Sequence, residues 1–350
     1  MAAIPRLRLL LALLLATALV AGCSGSSNDD GEATDDTEAE ASEAPGADEV
    51  VEPEGSWSFT DDFDVTHELD EVPETIVAEV SVAGALWDLG IQVDATFGMR
   101  ELPDGTTDPM GLADPEAIES LGEVYGEINV ERLQLIDPDL IVVPSYQEGE
   151  YWGVKEDLVD DVDRIAPVVS ITIPGKTLRD MADRVLDLAV SLGVDPEGET
   201  VTEVVEAYET AEEELRAALA DKPGLTFMAA SGSTEQLYVA VPSGYADLLT
   251  YQELGMQIVE PDTDEQYWET LSWEQIDTYT ADVLLADSRG GSVEQIVDIV
   301  PEAARDIAPI AADQLARWEV TISPGYANLA RVLGDLTEVV VDADPDVVVE

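Results

Sequence analysis

Cys23 is the sole cysteine and His67 the sole histidine of a 350-residue chain, and those two counts remove much of the chemistry that side chains can do. One thiol forms no disulfide within the chain and builds no Cys-rich metal site. One imidazole rules out a multi-histidine zinc or transition-metal site within the chain, although oxygen-only Ca²⁺ binding stays open. A Ser-His-Asp or Cys-His arrangement would rest on His67 alone, in a segment ahead of the first expected strand, so hydrolase chemistry of that kind loses support. No Gly-rich phosphate loop ending in Lys-Ser or Lys-Thr occurs and no Gly-x-Gly-x-x-Gly follows a strand, so nucleotide enzymes lose support too. The 77 acidic residues leave a glycosidase-like carboxylate pair open, because a chance pair among so many would look the same.

What remains for Cys23 is anchorage. Arg6 and Arg8 precede an apolar run from Leu9 to Gly22, the charge order of a secretory signal peptide. The run is too short to cross a bilayer, which takes roughly 20 apolar residues. Val20-Ala21-Gly22-Cys23 resembles the bacterial lipobox. That resemblance implies removal of residues 1–22, a diacylglyceryl group on the Cys23 thiol and a further acyl chain such as palmitate on the new amino terminus. Two or more acyl chains hold a protein stably where one does not. The expected location is the extracytoplasmic face of the cell membrane.

Composition bounds the rest. A chain of this length with 45% hydrophobic residues can fill two ordinary domains after the leader is lost. The formal charge is −62, and thirteen of the fifteen basic residues, three of them lysines, lie beyond the leader. Self-repulsion of that size penalises a compact state at low ionic strength, so a saline or alkaline habitat is expected. Nucleic acid is excluded as a partner, since phosphate binding needs clustered Lys and Arg. From Ser24 to about Glu54 the residues are Ser, Gly, Ala, Thr and acid, with no basic residue. Such a stretch cannot bury enough surface to fold, and residues 23–56 are read as an extended acidic tether.

Beyond Trp57, β-rich runs alternate with helical stretches, which predicts parallel sheets covered by helices. Strands are expected at Thr75–Val80, Val93–Gly98, Leu140–Pro144 and Val168–Ile173, with short helices at Val82–Leu89 and Val130–Ile136. A second set begins at Leu225–Ala230 and continues through Leu237–Val241, Gln257–Glu260 and Val283–Ala286. Between the sets lies a charged region without a strand signal. Apolar residues fall on one helical face in Leu178–Leu192, which Gly193 ends, and again in Glu199–Ala220. About 22 residues at 1.5 Å each span roughly 33 Å, long enough to bridge two lobes. Periodicity alone also allows two packing helices of one large domain.

An ordered series of phrases then narrows the choice. Asp64-Val-Thr-His-Glu-Leu, Val72-Pro-Glu-Thr-Ile-Val-Ala and Ala85-Leu-Trp-Asp-Leu-Gly-Ile-Gln-Val are followed by Ile128-Asn-Val-Glu-Arg-Leu-Gln-Leu-Ile-Asp-Pro-Asp-Leu-Ile-Val and Ile165-Ala-Pro-Val-Val. Leu248–Gly255, Leu271-Ser-Trp-Glu-Gln-Ile and Ala281-Asp-Val-Leu-Leu-Ala-Asp come later. In order and spacing, from about Asp62 to Leu333, they resemble the iron-siderophore class of periplasmic substrate-binding proteins of ABC importers. The resemblance implies an α/β fold of two Rossmann-like lobes joined by a single long helix, the class III arrangement. The first lobe then runs over residues 57–175, the helical region over 176–222 and the second lobe over 223–350. It also implies no catalysis, no intrinsic cofactor, a monomer, and partners in a permease and its ATPase. The family's two permease-docking glutamates match Glu131 in Asn129-Val-Glu-Arg and Glu274 in Ser272-Trp-Glu-Gln.

The ligand would lie between the lobes. In open α/β sheets that cleft is beyond the carboxyl ends of the strands, where the loops carry Arg100, Tyr146 and Trp152 in the first half and Tyr245, Trp268 and Arg289 in the second. Tyr and Trp offer flat apolar faces with a donor, and Arg pairs with carboxylate or catecholate oxygen. An acidic protein suits a neutral or cationic ferric hydroxamate better than an anionic ferric catecholate. Haem, through an iron-ligating Tyr, and cobalamin are the alternatives within the fold. A cell-surface hydrolase with a carboxylate pair is the rival of another class, and an adhesion or scaffold protein a third.

Overall fold

The computed structural model describes residues 55–348, so the leader, Cys23 and all but the end of the expected tether lie outside the described residues. The chain first forms a hairpin, β1 (Trp57–Thr60) and β2 (Thr66–Leu69), in a segment where no strand is expected from sequence. His67 is therefore inside a strand, with Nε2 3.2 Å from Asp61 Oδ2. Trp57 and Phe59 alternate inward along β1, and Trp57 Nε1 donates to Ser191 Oγ at 3.0 Å.

The first lobe follows as β3 (Ile76–Glu79), α1 (Val80–Asp88), β4 (Ala95–Phe97), β5 (Glu119–Ser120), α2 (Val130–Ile136), β6 (Leu140–Ser145), α3 (Glu156–Val162) and β7 (Val168–Thr172). Its five strands are all parallel, in the order β5-β4-β3-β6-β7. β3, β4 and β6 are buried on both faces, as helix-covered parallel strands must be, while the edge strand β5 is not. Val77, Ile141 and Val143 point to one apolar cluster and Ile76, Ala78 and Val142 to another, the period of two expected of a strand.

Two helices then lead to the second lobe. The first, α4 (Leu178–Ser191), opens with a capping box in which Thr177 and Asp180 satisfy each other's backbone donors. Gly193, at φ 105°, turns the chain into α5 (Glu199–Asp221), 23 residues that join the lobes. Along α5 the buried residues Val201, Tyr208, Ala211, Leu215 and Leu219 keep helical spacing.

The second lobe comprises β8 (Thr226–Gly232), β9 (Gln236–Ala240), α6 (Ala246–Glu253), β10 (Gln257–Ile258), β11 (Trp268–Ser272), β12 (Val283–Asp287), α7 (Val293–Ile299), α8 (Ala308–Ala311), β13 (Leu315–Trp318) and α9 (Tyr326–Asp342). Its sheet corrects the expectation of parallel sheets throughout. β10, β12 and β13 run parallel to their neighbours, but β8-β9 and β9-β11 are antiparallel. Three residues between β8 and β9 are too few for a parallel crossover, so that pair must be a hairpin.

The lobes are not independent. One apolar cluster takes Ala78 and Val142 from the first sheet, Phe227 and Leu285 from the second, and the inner faces of α1, α4, α5 and α9. After β13 the chain passes against α1: Ser323 Oγ donates to the Ser81 carbonyl at 2.7 Å, and Asn328 N donates to Asp88 Oδ2 at 3.0 Å. Asp88 thereby serves the first turn of α9 from the other lobe, and burial pushes its carboxyl up to about 6. A Cβ on Gly325 would overlap that carboxylate, so the residue before α9 has to be glycine. Arg317, at the end of β13, reaches Asp104 at 3.1 Å, Thr106 at 2.8 Å and Asp108, all from the loop after β4.

Candidate functional site

The strands of both sheets end at a shared cavity of about 670 Å³. From the first lobe it is reached by Glu79 at the end of β3, Gly98 after β4, Tyr146 after β6 and Ile173 after β7. From the second it is reached by Tyr245 at the start of α6, Tyr267 and Trp268 at the start of β11, Arg289 after β12 and Val320–Ile322 after β13. A cleft at carboxyl ends is where an open α/β sheet leaves backbone termini and loops free to meet a ligand.

Its walls are aromatic. Trp152 stacks at an angle between Tyr125, 4.7 Å away by ring centroid, and Tyr146 at 4.9 Å. Opposite, Tyr245 is 5.7 Å from Tyr267, 5.4 Å from Trp268 and 5.1 Å from Trp318, all near edge-to-face. Tyr146 and Tyr267 meet at 6.3 Å and complete the path from one lobe to the other. These tilted contacts hold the rings in fixed orientations and leave other faces open to a guest. Burial pushes the phenols of Tyr146 and Tyr245 well above the ordinary tyrosine range.

Charge in the cleft is sparse and mostly matched. Arg289 makes a bidentate contact with Asp287, Nη2 to Oδ2 at 2.7 Å and Nε to Oδ1 at 3.0 Å, and its guanidinium lies 5.8 Å from the centre of the Trp268 ring. Burial works against the arginine's charge, but the Asp287 carboxylate outweighs it and raises its affinity for the proton. Asp247, buried behind Tyr245, accepts the indole N–H of Trp318, and burial pushes it up to about 6.

Tyr146, Trp152, Tyr245, Trp268 and Arg289 thus lie around one cavity, whereas Arg100 does not line it. Arg100 turns into its own lobe, where Nε meets Met110 Sδ at 3.3 Å and Nη2 donates to the carbonyls of Pro115 and Ile118, the latter at 3.2 Å. Sequence reasoning passed over Glu79, Tyr125 and Tyr267. The signal for Glu79 is present, since it is the one charged residue in the Thr75–Val80 run and stands at the strand's carboxyl end. Glu131 and Glu274 are both exposed, Glu131 in the first turn of α2 and Glu274 in the short 3-10 turn at 273–278. Beside Glu131, Asn129 caps α2 by accepting from Arg132 N at 3.0 Å. Among the described residues no cluster of His, Cys, Asp and Glu is arranged to hold a metal ion, and no helix is long and apolar enough to cross a membrane.

Comparison with known proteins gives this arrangement its family. No curated protein sequence matched the chain. Among solved structures, DesE, a ferric-siderophore receptor protein from Streptomyces coelicolor, is 33% identical, with a TM-score of 0.76 over 82% of this chain and 99% of its own. BauB, solved with a complex of two acinetobactin molecules and ferric iron, shares the fold at 13% identity and a TM-score of 0.61, over 81% of this chain and 98% of its own. FhuD2 from Staphylococcus aureus, solved with ferrioxamine B, does so at 15% identity and 0.56, over 76% and 98%. The family model for periplasmic binding proteins matches residues 104–305, from the loop after β4 to beyond α7. The chain belongs to the periplasmic binding protein family, in its helix-joined, two-lobed class.

Proposed function

We propose that this chain is the solute-binding lipoprotein of an ATP-driven importer, capturing a ferric siderophore between its lobes and delivering it to the permease. The observation that carries the reading is the aromatic-walled interlobe cavity in a chain 33% identical to a ferric-siderophore receptor. The ring faces suit the organic shell of an iron complex, and the cavity falls within the size range of small-molecule sites, roughly 300–1,000 Å³. With Arg289 matched by Asp287, the cleft offers little to an anionic ferric catecholate and favours a hydroxamate of neutral or positive charge. Haem and cobalamin are the weaker readings. Burial of Tyr146 and Tyr245 opposes the phenolate that would ligate haem iron.

Glu131 and Glu274 would pair with permease arginines, one from each lobe, and so set the orientation of the cleft over the channel. Lipid on Cys23, with residues 1–22 removed and residues 23–56 as tether, would keep the folded part near its permease and raise its local concentration there.

Titration of tryptophan fluorescence with ferric trihydroxamates, ferric catecholates, haem and cobalamin tests the ligand. Saturable quenching is expected with ferric hydroxamates, without turnover of the ligand. Failure of every ferric siderophore to bind would overturn the proposal, and consumption of a substrate would replace it with the hydrolase. Charge reversal of both Glu131 and Glu274 should abolish uptake while leaving binding intact. Cys23→Ala should release the protein and impair uptake with the same binding constant.

A further inference from the structure

We propose that Glu79 reads the charge of the ligand, acting as the anionic partner of a cationic arm on the ferric complex, so that the cleft selects cationic over neutral complexes of the same core. This rests on the reading of the cleft as a siderophore site.

Glu79 is an unusual residue for its place. It ends a fully buried strand, is 4% exposed, and still lines the cavity. One carboxylate oxygen, Oε2, caps α1 by accepting from Ser81 N at 2.8 Å and Ser81 Oγ at 2.5 Å. Among the described residues no donor reaches the other, Oε1, within hydrogen-bond distance, and it is not sealed from the cavity as a water-excluded orphan. Gly98 makes room for it, since a Cβ there would stand 2.9 Å from Oε1. Space kept clear around one free carboxylate oxygen at the cavity wall suits an incoming donor.

Among the described residues no side chain donates to Oε1, so a donor there has to come from the ligand. Titratable and charged side chains lining the same cavity are Tyr125, Tyr146 and Glu150 from the first lobe and Tyr245, Asp247, Tyr267 and Arg289 from the second. The one cation among them, Arg289, is bound to Asp287. Burial accordingly pushes Glu79 up to about 7, with the Ser81 hydrogen bonds and the Val82 N–H acting in the opposite direction. A ligand ammonium would draw the carboxyl into its ionised form and release a proton. A neutral complex would leave its titration near 7 and gain no ion pair. Ferric trihydroxamates have a neutral core, so a pendant amine alone sets the charge of the complex.

The probes are a linear ferric trihydroxamate ending in a primary amine and its N-acetyl derivative, titrated by tryptophan quenching into wild type and Glu79→Gln. At pH 8 the wild type should bind the amine form about tenfold more tightly, the effect of one pKa unit of coupling. The preference should shrink toward pH 6 as Glu79 protonates. Glu79→Gln keeps the side-chain shape and an oxygen for Ser81, and should bind both forms alike at either pH. The wild-type pH comparison needs no variant to fold. Equal binding of the two forms by the wild type, or a preference unchanged in Glu79→Gln, would overturn the role of Glu79 while leaving the siderophore reading intact. Binding of neither form would remove the hydroxamate reading of the cleft and this inference with it.

Discussion

Replacing Arg317 with alanine removes the cation that ties the end of β13 to the loop after β4 in the other lobe. Its guanidinium donates to Asp104 Oδ2 at 3.1 and 3.2 Å, to Thr106 Oγ1 at 2.8 Å, and to Asp108. The partners are largely enclosed: side-chain exposure is 24% for Arg317, 9% for Asp104 and 14% for Asp108. An exposed pair contributes about 0–1 kcal/mol, whereas stripping the partner from a buried carboxylate costs about 3–5 kcal/mol. At this intermediate exposure, with two carboxylates left without their cation, a loss of about 3 kcal/mol is expected, or roughly 6–10 °C in Tm. The pH dependence gives a second check. Burial works against ionised Asp104, but Thr106 and Arg317 outweigh it and hold its carboxyl below its ordinary value. Asp108 is raised, by burial and then by Glu319, despite Arg317. A depressed carboxyl contributes stability above its unfolded pKa that is lost as pH falls through the folded value, and Arg317→Ala removes that contribution. The deficit of the variant should therefore be full from pH 7.5 down to about pH 4 and shrink only below it, as pH falls through the depressed Asp104 value, followed by chemical denaturation. Arg164→Ala breaks a pair exposed by 68% and 46%, and serves as the control with almost no effect. A loss from Arg317→Ala as small as that of the control would refute the idea that this cluster fastens the lobes.

Three further outcomes follow from the same geometry. Gly325→Ala drives a methyl into Asp88 and to 2.9 Å from the Ala85 Cα, so it should cost about 2–3 kcal/mol by overpacking, while Gly334→Ala in α9, with nothing near its Cβ, should gain about 0.5–1 kcal/mol; thermal unfolding separates the two. Glu79, Asp88 and Asp247 are raised to about 7, 6 and 6 by burial, so the folded state holds protons that the unfolded chain has lost. Their stabilisation is full below pH 4 and is lost as pH rises through those values. In molar salt, which screens the general acidity, lowering pH from 8 to 5.5 should thus add about 3 kcal/mol to unfolding free energy, and a flat or falling profile would count against it. Trp152→Ala removes the ring held between Tyr125 and Tyr146, and should weaken ferric-complex binding about tenfold with little change in Tm, read by isothermal calorimetry.

Most of the scaffold was legible because its strands are dense β-branched runs and its helices carry one apolar face. Val130–Ile136 has the expected bounds, and Leu140–Ser145 and Val168–Thr172 differ from expectation by one residue. The strands that were not legible are short or polar. β13 is four residues containing Arg317, β5 is two, and β11 alternates toward solvent. Such strands exist because a neighbour pairs with them, which a local pattern does not record. The same holds for the site. Chain order places residues 100, 146, 152, 245, 268 and 289 beyond strand ends, but which way each side chain turns depends on acceptors brought from elsewhere. Arg100 meets the Pro115 and Ile118 carbonyls and Met110 Sδ, and leaves the cleft. Glu79 was hidden by being counted as part of its strand.

The scarcity of cations, first a fact of composition, becomes a constraint on the ligand once the partners are known. Every arginine among the described residues donates to a carboxylate or to a backbone carbonyl: Arg184 to Asp62, Arg179 to Glu212 and Arg331 to Glu319, for example, and Arg305 to the Val300 carbonyl. In a chain of net charge −62 each such contact offsets local repulsion, and moving an arginine to a ligand would leave its acid unpaired. Arg289 obeys the same rule inside the cleft, where Asp287, 3% exposed, holds it in a fork. An anionic guest would have to compete with that carboxylate and approach through the field of a strongly acidic surface. A neutral guest meets only the aromatic walls, and a cationic one is drawn in by the field and finds a free carboxylate oxygen on Glu79. The acidity of the surface and the shape of the cleft therefore select in the same direction.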